Sequence, residues 1–140
     1  MSDHDQIDSF GTAFATEMLK EDRVAAHLGI TLIDCNPGTA TVVMTVTDLM
    51  TNGHGITHGG FVFTLANTAF ALACNSYGET TVAAAAGIDF LTPTTVGDEL
   101  TAVAVEKVRR GRSGIYDVTV LCREEVVAEF RGNSRQVRRS

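Results

Sequence analysis

Polar and apolar positions along the chain change rhythm twice. In the first stretch Phe10, Phe14, Met18 and Leu19 recur at three- to four-residue spacing. Asp5, Glu17, Lys20 and Asp22 lie between and beside them, and this amphipathic period predicts a helix from Gln6 to Leu28. Gly29 is placed to stop it. Ile30 to Asp34 reads as a short strand, Asn36-Pro37-Gly38 as a turn, and the alternation from Thr39 to Thr47 as a second strand.

The middle of the chain breaks that rhythm. Asn52 to Gly60 carries four glycines in nine residues, which predicts a loop. Phe61 to Asn75 follows with no charged residue and with apolar side chains on every face, so it predicts a helix buried all round. That run is too short for a bilayer span and holds Asn67 and Thr68 at its middle. Strand-like segments then fill the rest: Val82 to Phe90, Leu100 to Val108, Ile115 to Cys122 and Val126 to Val137. Turns at Thr92-Pro93, Arg110 to Gly114 and Arg123-Glu124 separate them. One apolar helix and several strands joined by short connections predict an α+β protein, with a curved antiparallel sheet wrapped around a long central helix. At 140 residues the expectation is one domain over 1–140.

Charge and cysteine content narrow the function. The net charge is −6 and the isoelectric point about 5.1, which sets aside nucleic acid as a partner. Arg109, Arg110 and Arg112 form a basic cluster against that background. Cys35, Cys74 and Cys122 are an odd, widely spaced set that forms no disulfide framework and fits a reducing cytoplasm. The N-terminus lacks the basic and apolar regions of a signal peptide. His54 and His58 are four apart, but no third ligand is near them in sequence, so neither a metal nor another cofactor is expected.

Candidate chemistry sits where loop meets helix. The first N–H groups of a helix have no internal partner and carry partial positive charge. Gly59 and Gly60 let a ligand approach those donors, which is a recipe for an oxyanion hole or anion site; glycines that merely let the loop turn are the simpler reading. His58 is expected to brace the turn through backbone hydrogen bonds. Asn67 is an amide in an otherwise apolar stretch and needs a polar partner or pocket. Gly59 and Asn67 are eight residues apart, about 12 Å along a helix axis. One chain cannot bring both to one reacting atom, so joint action requires a second protomer and a homo-oligomer.

The run NGHGITHGGFVFTLANTAFALACNSYG, the strand IDFLTP, the Gly97-Asp98 pair and the GIYDV segment at Gly114 to Val118 resemble the PaaI-type phenylacetyl-CoA thioesterases. The likeness covers nearly the whole chain. It implies a hotdog fold and hydrolysis of aryl- or arylacetyl-CoA thioesters, of the kind used in phenylacetate degradation. It also implies a dimer of dimers, and a site in which the Gly59 N–H polarises the thioester carbonyl while His58 and Asn52 support the loop. Gly60, Phe61 and the arginines Arg109, Arg110 and Arg112 are the substrate-binding candidates, the arginines toward CoA phosphates. The family carries a carboxylate on the partner's central helix, in the pattern L-A-D-T-A-F-A. This chain reads Leu65-Ala66-Asn67-Thr68-Ala69-Phe70-Ala71, with an amide in its place. The chain therefore reads as a thioesterase carrying an inactivating aspartate-to-asparagine change, with a non-hydrolytic acyl-CoA-binding module as the alternative. A hotdog hydratase ranks last, because no Asp or Glu lies on the central helix to work with His58.

Overall fold

The computed structural model describes residues 13–137. The expected helix from Gln6 to Leu28 is interrupted, and its residues 6–12 lie outside the described range. Residues 13–21 (α1) are helical, with Ala15 buried and Phe14, Met18 and Leu19 partly covered. A second helix, α2, runs Arg23–Leu28. The break falls at Asp22, whose extended backbone and carboxylate, accepting from the Ala25 N–H at 3.0 Å, make it an N-cap. A helical period continues through a cap without showing it, which is why the sequence reads as one helix. Gly29 ends α2 in the left-handed region, as expected.

Six strands follow: β1 (Thr31–Asn36), β2 (Thr39–Thr45), β3 (Thr81–Phe90), β4 (Glu99–Arg110), β5 (Ser113–Cys122) and β6 (Glu125–Gln136). A 3₁₀ turn, Asp48–Met50, and the helix α3, Gly59–Asn75, lie between β2 and β3. The strands form one antiparallel sheet in the order β1-β2-β4-β5-β6-β3. The hairpin from β5 to β6 turns on Arg123 and Glu124, both at positive φ. Helix α3 touches every strand, and the core lies between them. This is the helix-in-sheet arrangement that the hotdog resemblance implied. Among the described residues no helix is long and apolar enough to cross a membrane.

Close packing seats α3. Phe70 meets Tyr116 and Phe130 with ring centroids 5.7 and 5.8 Å away. A Cβ on Gly132 would lie 2.7 Å from the Phe70 Cζ, so β6 needs glycine there. At the C-terminal end Asn75 fastens the helix to β3, its Nδ2 donating to the Thr81 carbonyl at 3.0 Å and its Oδ1 accepting from the Thr81 N–H at 2.8 Å. The expectation that α3 is buried all round does not hold for one chain. Gly60 is exposed, and Phe63, Thr64, Asn67 and Ala71 are partly accessible along one stripe. The sheet covers the other side, and the uncharged sequence cannot tell a face covered by its own sheet from one left open.

Two buried thiols give a test of this packing. Burial pushes Cys35 up to about 11 and Cys74 up to about 12. Both should resist a thiol reagent at pH 8 in the folded protein and react on unfolding. Above about pH 9 the unfolded thiols ionise while the folded ones keep their protons, so the unfolded state binds fewer protons. The urea midpoint should therefore fall as pH rises from 9 towards 11; fast labelling of both thiols in the native protein would contradict the packing.

Candidate active site

Residues 52–58 form a tight loop folded around one side chain. Asn52 accepts from the His54 N–H at 2.9 Å and the Ile56 N–H at 3.2 Å through Oδ1, and its own N–H donates to the Ile56 carbonyl at 2.8 Å. Gly55 takes φ +76°, which a side chain there would strain. The loop is clasped to the segment after β3. The Thr57 N–H donates to the Thr94 carbonyl at 2.8 Å, the buried Thr94 hydroxyl donates to the Thr57 hydroxyl at 2.7 Å, and the Thr95 hydroxyl donates to the Gly55 carbonyl at 2.9 Å. His58 closes the loop, its N–H donating to the Met50 carbonyl at 2.6 Å.

His58 is also the N-cap of α3. Its Nδ1 accepts from the Gly60 N–H at 3.2 Å, so the ring carries its proton on Nε2, and its carbonyl accepts from the Phe61 N–H. The helix starts at Gly59, two residues earlier than the glycine content suggested, because a histidine rather than a glycine supplies the cap. The cap occupies the amide of Gly60 and leaves that of Gly59 without a hydrogen-bond partner among the described residues. Gly59 lines a cavity of about 410 Å³ whose walls include Ile56, Val62, Phe90, Leu91, Pro93 and Val127. An unpaired N–H at a positive helix end beside an apolar hollow can stabilise negative charge on a carbonyl oxygen whose substituent is apolar.

The remaining candidates lie elsewhere. Phe61 packs on the core and meets the His58 ring edge-on at 6.3 Å. Asn67 sits on the accessible stripe of α3, about 12 Å along the axis from Gly59, and its side chain has no hydrogen-bond partner among the described residues. The three arginines diverge. Arg109 lies over the Tyr77 ring at 3.5 Å, beyond the C-terminal end of α3, and shares with Arg112 a small polar cavity of about 210 Å³. Arg110 lies in a different hollow, with Arg135 and Val108. Helix α3 separates the Arg109 group from Gly59 by about 25 Å within one chain. Among the described residues no group of three or more His, Cys, Asp or Glu side chains converges as a metal site would require.

Several contributors are not singled out by the sequence. Thr57 and Thr94 look like ordinary polar loop residues, and only their distance in the fold reveals the clasp. Glu106 accepts from the Tyr77 hydroxyl at 2.9 Å and from the Tyr116 hydroxyl at 3.2 Å. Burial first, and then that carboxylate, push both phenols up.

Comparison with known proteins places this arrangement. The profile of the Thioesterase superfamily matches residues 54–129. The chain is 46% identical over 124 residues to the acyl-coenzyme A thioesterase PaaI of Escherichia coli K12, covering 88% of this chain and 89% of that protein. The structure of the E. coli PaaI protein from the phenylacetic acid degradation operon superposes with a TM-score of 0.91 at 43% identity, over 94% of this chain and 96% of that one. The structure of smu.793 from Streptococcus mutans UA159, bound to acetyl-CoA, superposes with a TM-score of 0.74 at 25% identity, over 77% and 88% of the two chains.

The loop makes a prediction that needs no substrate. Asn52→Ala removes the acceptor for two amides and should lower stability by about 1 kcal/mol. It should also speed hydrogen exchange at His54 and Ile56 selectively. Asn52→Asp keeps the acceptor and should leave both exchange rates near their original values.

Proposed function

We propose a function for this chain on the premise that it belongs to the thioesterase superfamily. It is an acyl-CoA thioesterase, a hydrolase of the bond between an acyl group and CoA. The acyl group is of the aryl or arylacetyl type. The carrying observation is the unpaired Gly59 N–H at the start of α3, beside an apolar cavity. The thioester carbonyl is placed against that N–H and the acyl group enters the hollow. As water adds to the carbonyl carbon, the oxygen gains charge that the Gly59 N–H and the helix end stabilise. Collapse of that adduct breaks the carbon–sulfur bond and releases CoA thiol and the free acid. His58 holds the Gly60 amide and Asn52 holds the loop, so that neither competes for the carbonyl. Gly60 and Phe61 do not line the cavity at Gly59 and serve only the helix start and the core, while Arg109 with Arg112 meets the CoA phosphates at the other end of the helix. Arg110 lies in a separate hollow and takes no part in that contact, contrary to the single cluster expected from the sequence.

The site is completed by a second copy of the chain. Asn67 is partly accessible and unpartnered on the open stripe of α3, and β3 is an edge strand whose Val82 to Gly87 are exposed. An unpaired, uncharged edge is a template for another strand. Joining two chains across these surfaces by a two-fold axis runs the α3 helices side by side and brings Asn67 of each towards Gly59 of the other. We read the assembly as a dimer of such dimers, residues 1–140 as one domain, and the location as cytoplasmic.

Asn67 supports a second reading, a module that binds acyl-CoA without turning it over. An amide neither accepts a proton near neutral pH nor attacks carbon. Binding depends on shape, the Gly59 donor and phosphate contacts, and needs no carboxylate. As it stands the protein should bind phenylacetyl-CoA and hydrolyse it slowly.

Asn67→Asp should raise kcat for phenylacetyl-CoA by about 10²–10⁴-fold with little change in KM. The rate should climb with pH as the new carboxylate ionises. An aspartate variant no faster on any member of a thioester panel hands the function to the binding-module reading. In sedimentation at micromolar concentration the protein should run as a dimer or tetramer; a monomer that binds ligand at full affinity would remove the shared site.

A further inference from the structure

Phe90 is the last residue of β3, and strand alternation puts it on the same side as Ile88, which packs on the core, with Asp89 facing outward. The backbone just beyond is pinned, because the Leu91 and Thr92 N–H groups both donate to the Val127 carbonyl at 2.9 and 3.2 Å. The ring ends against the first residue of α3. A Cβ on Gly59 would lie 2.8 Å from the Phe90 Cζ and 3.3 Å from each Cε. A side chain at Gly59 would therefore have to displace the far edge of the Phe90 ring.

The Phe90 ring is 55% exposed, and Leu91 beside it is 59% exposed. Both line the cavity at Gly59, whose deeper walls, Val62 and Val127, are buried. None of the described side chains lining this cavity is charged. The described residues thus present a hollow with an aliphatic floor, one aromatic side and a hydrogen-bond donor at its mouth. Aromatic rings meet other rings edge-to-face or offset and gain more from such pairs than from contact area alone. A straight chain in the same hollow gains area only.

We propose that Phe90 is a specificity-determining residue, its ring selecting aromatic acyl groups over straight chains of similar size. This rests on the thioesterase reading above. Selection is read by binding, which does not depend on turnover. S-(2-phenylethyl)-CoA and S-octyl-CoA are thioethers without a carbonyl and cannot be hydrolysed. Titration calorimetry of each against the full chain and against Phe90→Leu gives the ratio of the two affinities.

The expected result is a fall of about 3- to 10-fold in the preference for the phenylethyl ligand in Phe90→Leu, with octyl affinity within about twofold. Phe90→Tyr, which keeps the ring, should keep the preference. An unchanged ratio overturns the proposal, as does an equal loss for both ligands. A change in sedimentation of Phe90→Leu also overturns it, by making Phe90 an interface residue. If the unaltered protein binds neither thioether, the thioesterase reading itself fails, which the native titration shows before any variant is compared.

Discussion

The structure turns on how closely an uncharged helix can approach a sheet. Phe70 reaches β6 only because Gly132 has no side chain, and the rings of Tyr116 and Phe130 then close around it. That contact sets the depth of α3. Cores pack at crystal-like density, so a fixed depth in the middle fixes both ends. The C-terminal end is held by the paired bonds between Asn75 and Thr81, and the N-terminal end by the loop clasped to Thr94. The position of the Gly59 amide is therefore inherited from a packing contact eleven residues away.

The division of labour at the helix start follows from the same economy of donors. A helix begins with several N–H groups that need partners. Here the His58 ring satisfies the Gly60 amide and the His58 carbonyl satisfies that of Phe61. What is left over is a donor in a defined place, beside an apolar wall.

Much of this was readable from the order of residues. The glycine-rich loop, the uncharged helix and the alternating strands each announce themselves because a local period dictates them. The glycine-rich loop, the central helix and the IDFLTP segment carry the family resemblance, with Asn67 as the one departure, and the superfamily match confirms the family. What stayed hidden depends on distance through space. The cap at Asp22 splits a helix without disturbing its period. The Thr57 and Thr94 pair is separated by 37 positions. Arg109 and Arg110 look like one cluster in sequence, yet strand alternation sends them to different hollows. Phe90 stands inside a recognisable segment, but its contact with Gly59 exists only once β3 and α3 are assembled.

The strand order has a consequence for how the chain reaches this state. Among the described residues β3 pairs within the sheet only with β6, the last strand, although it precedes β4 and β5 in the chain. β4 and β5 can join as a local hairpin, while β3 must wait for a partner made some 40 residues later. Non-local pairings of this kind form late, because loop-closure entropy is lost before they reward it. During synthesis an apolar, charge-poor strand stays unpaired until the last strand is available, and it is then a natural target for chaperones or for a neighbouring nascent chain.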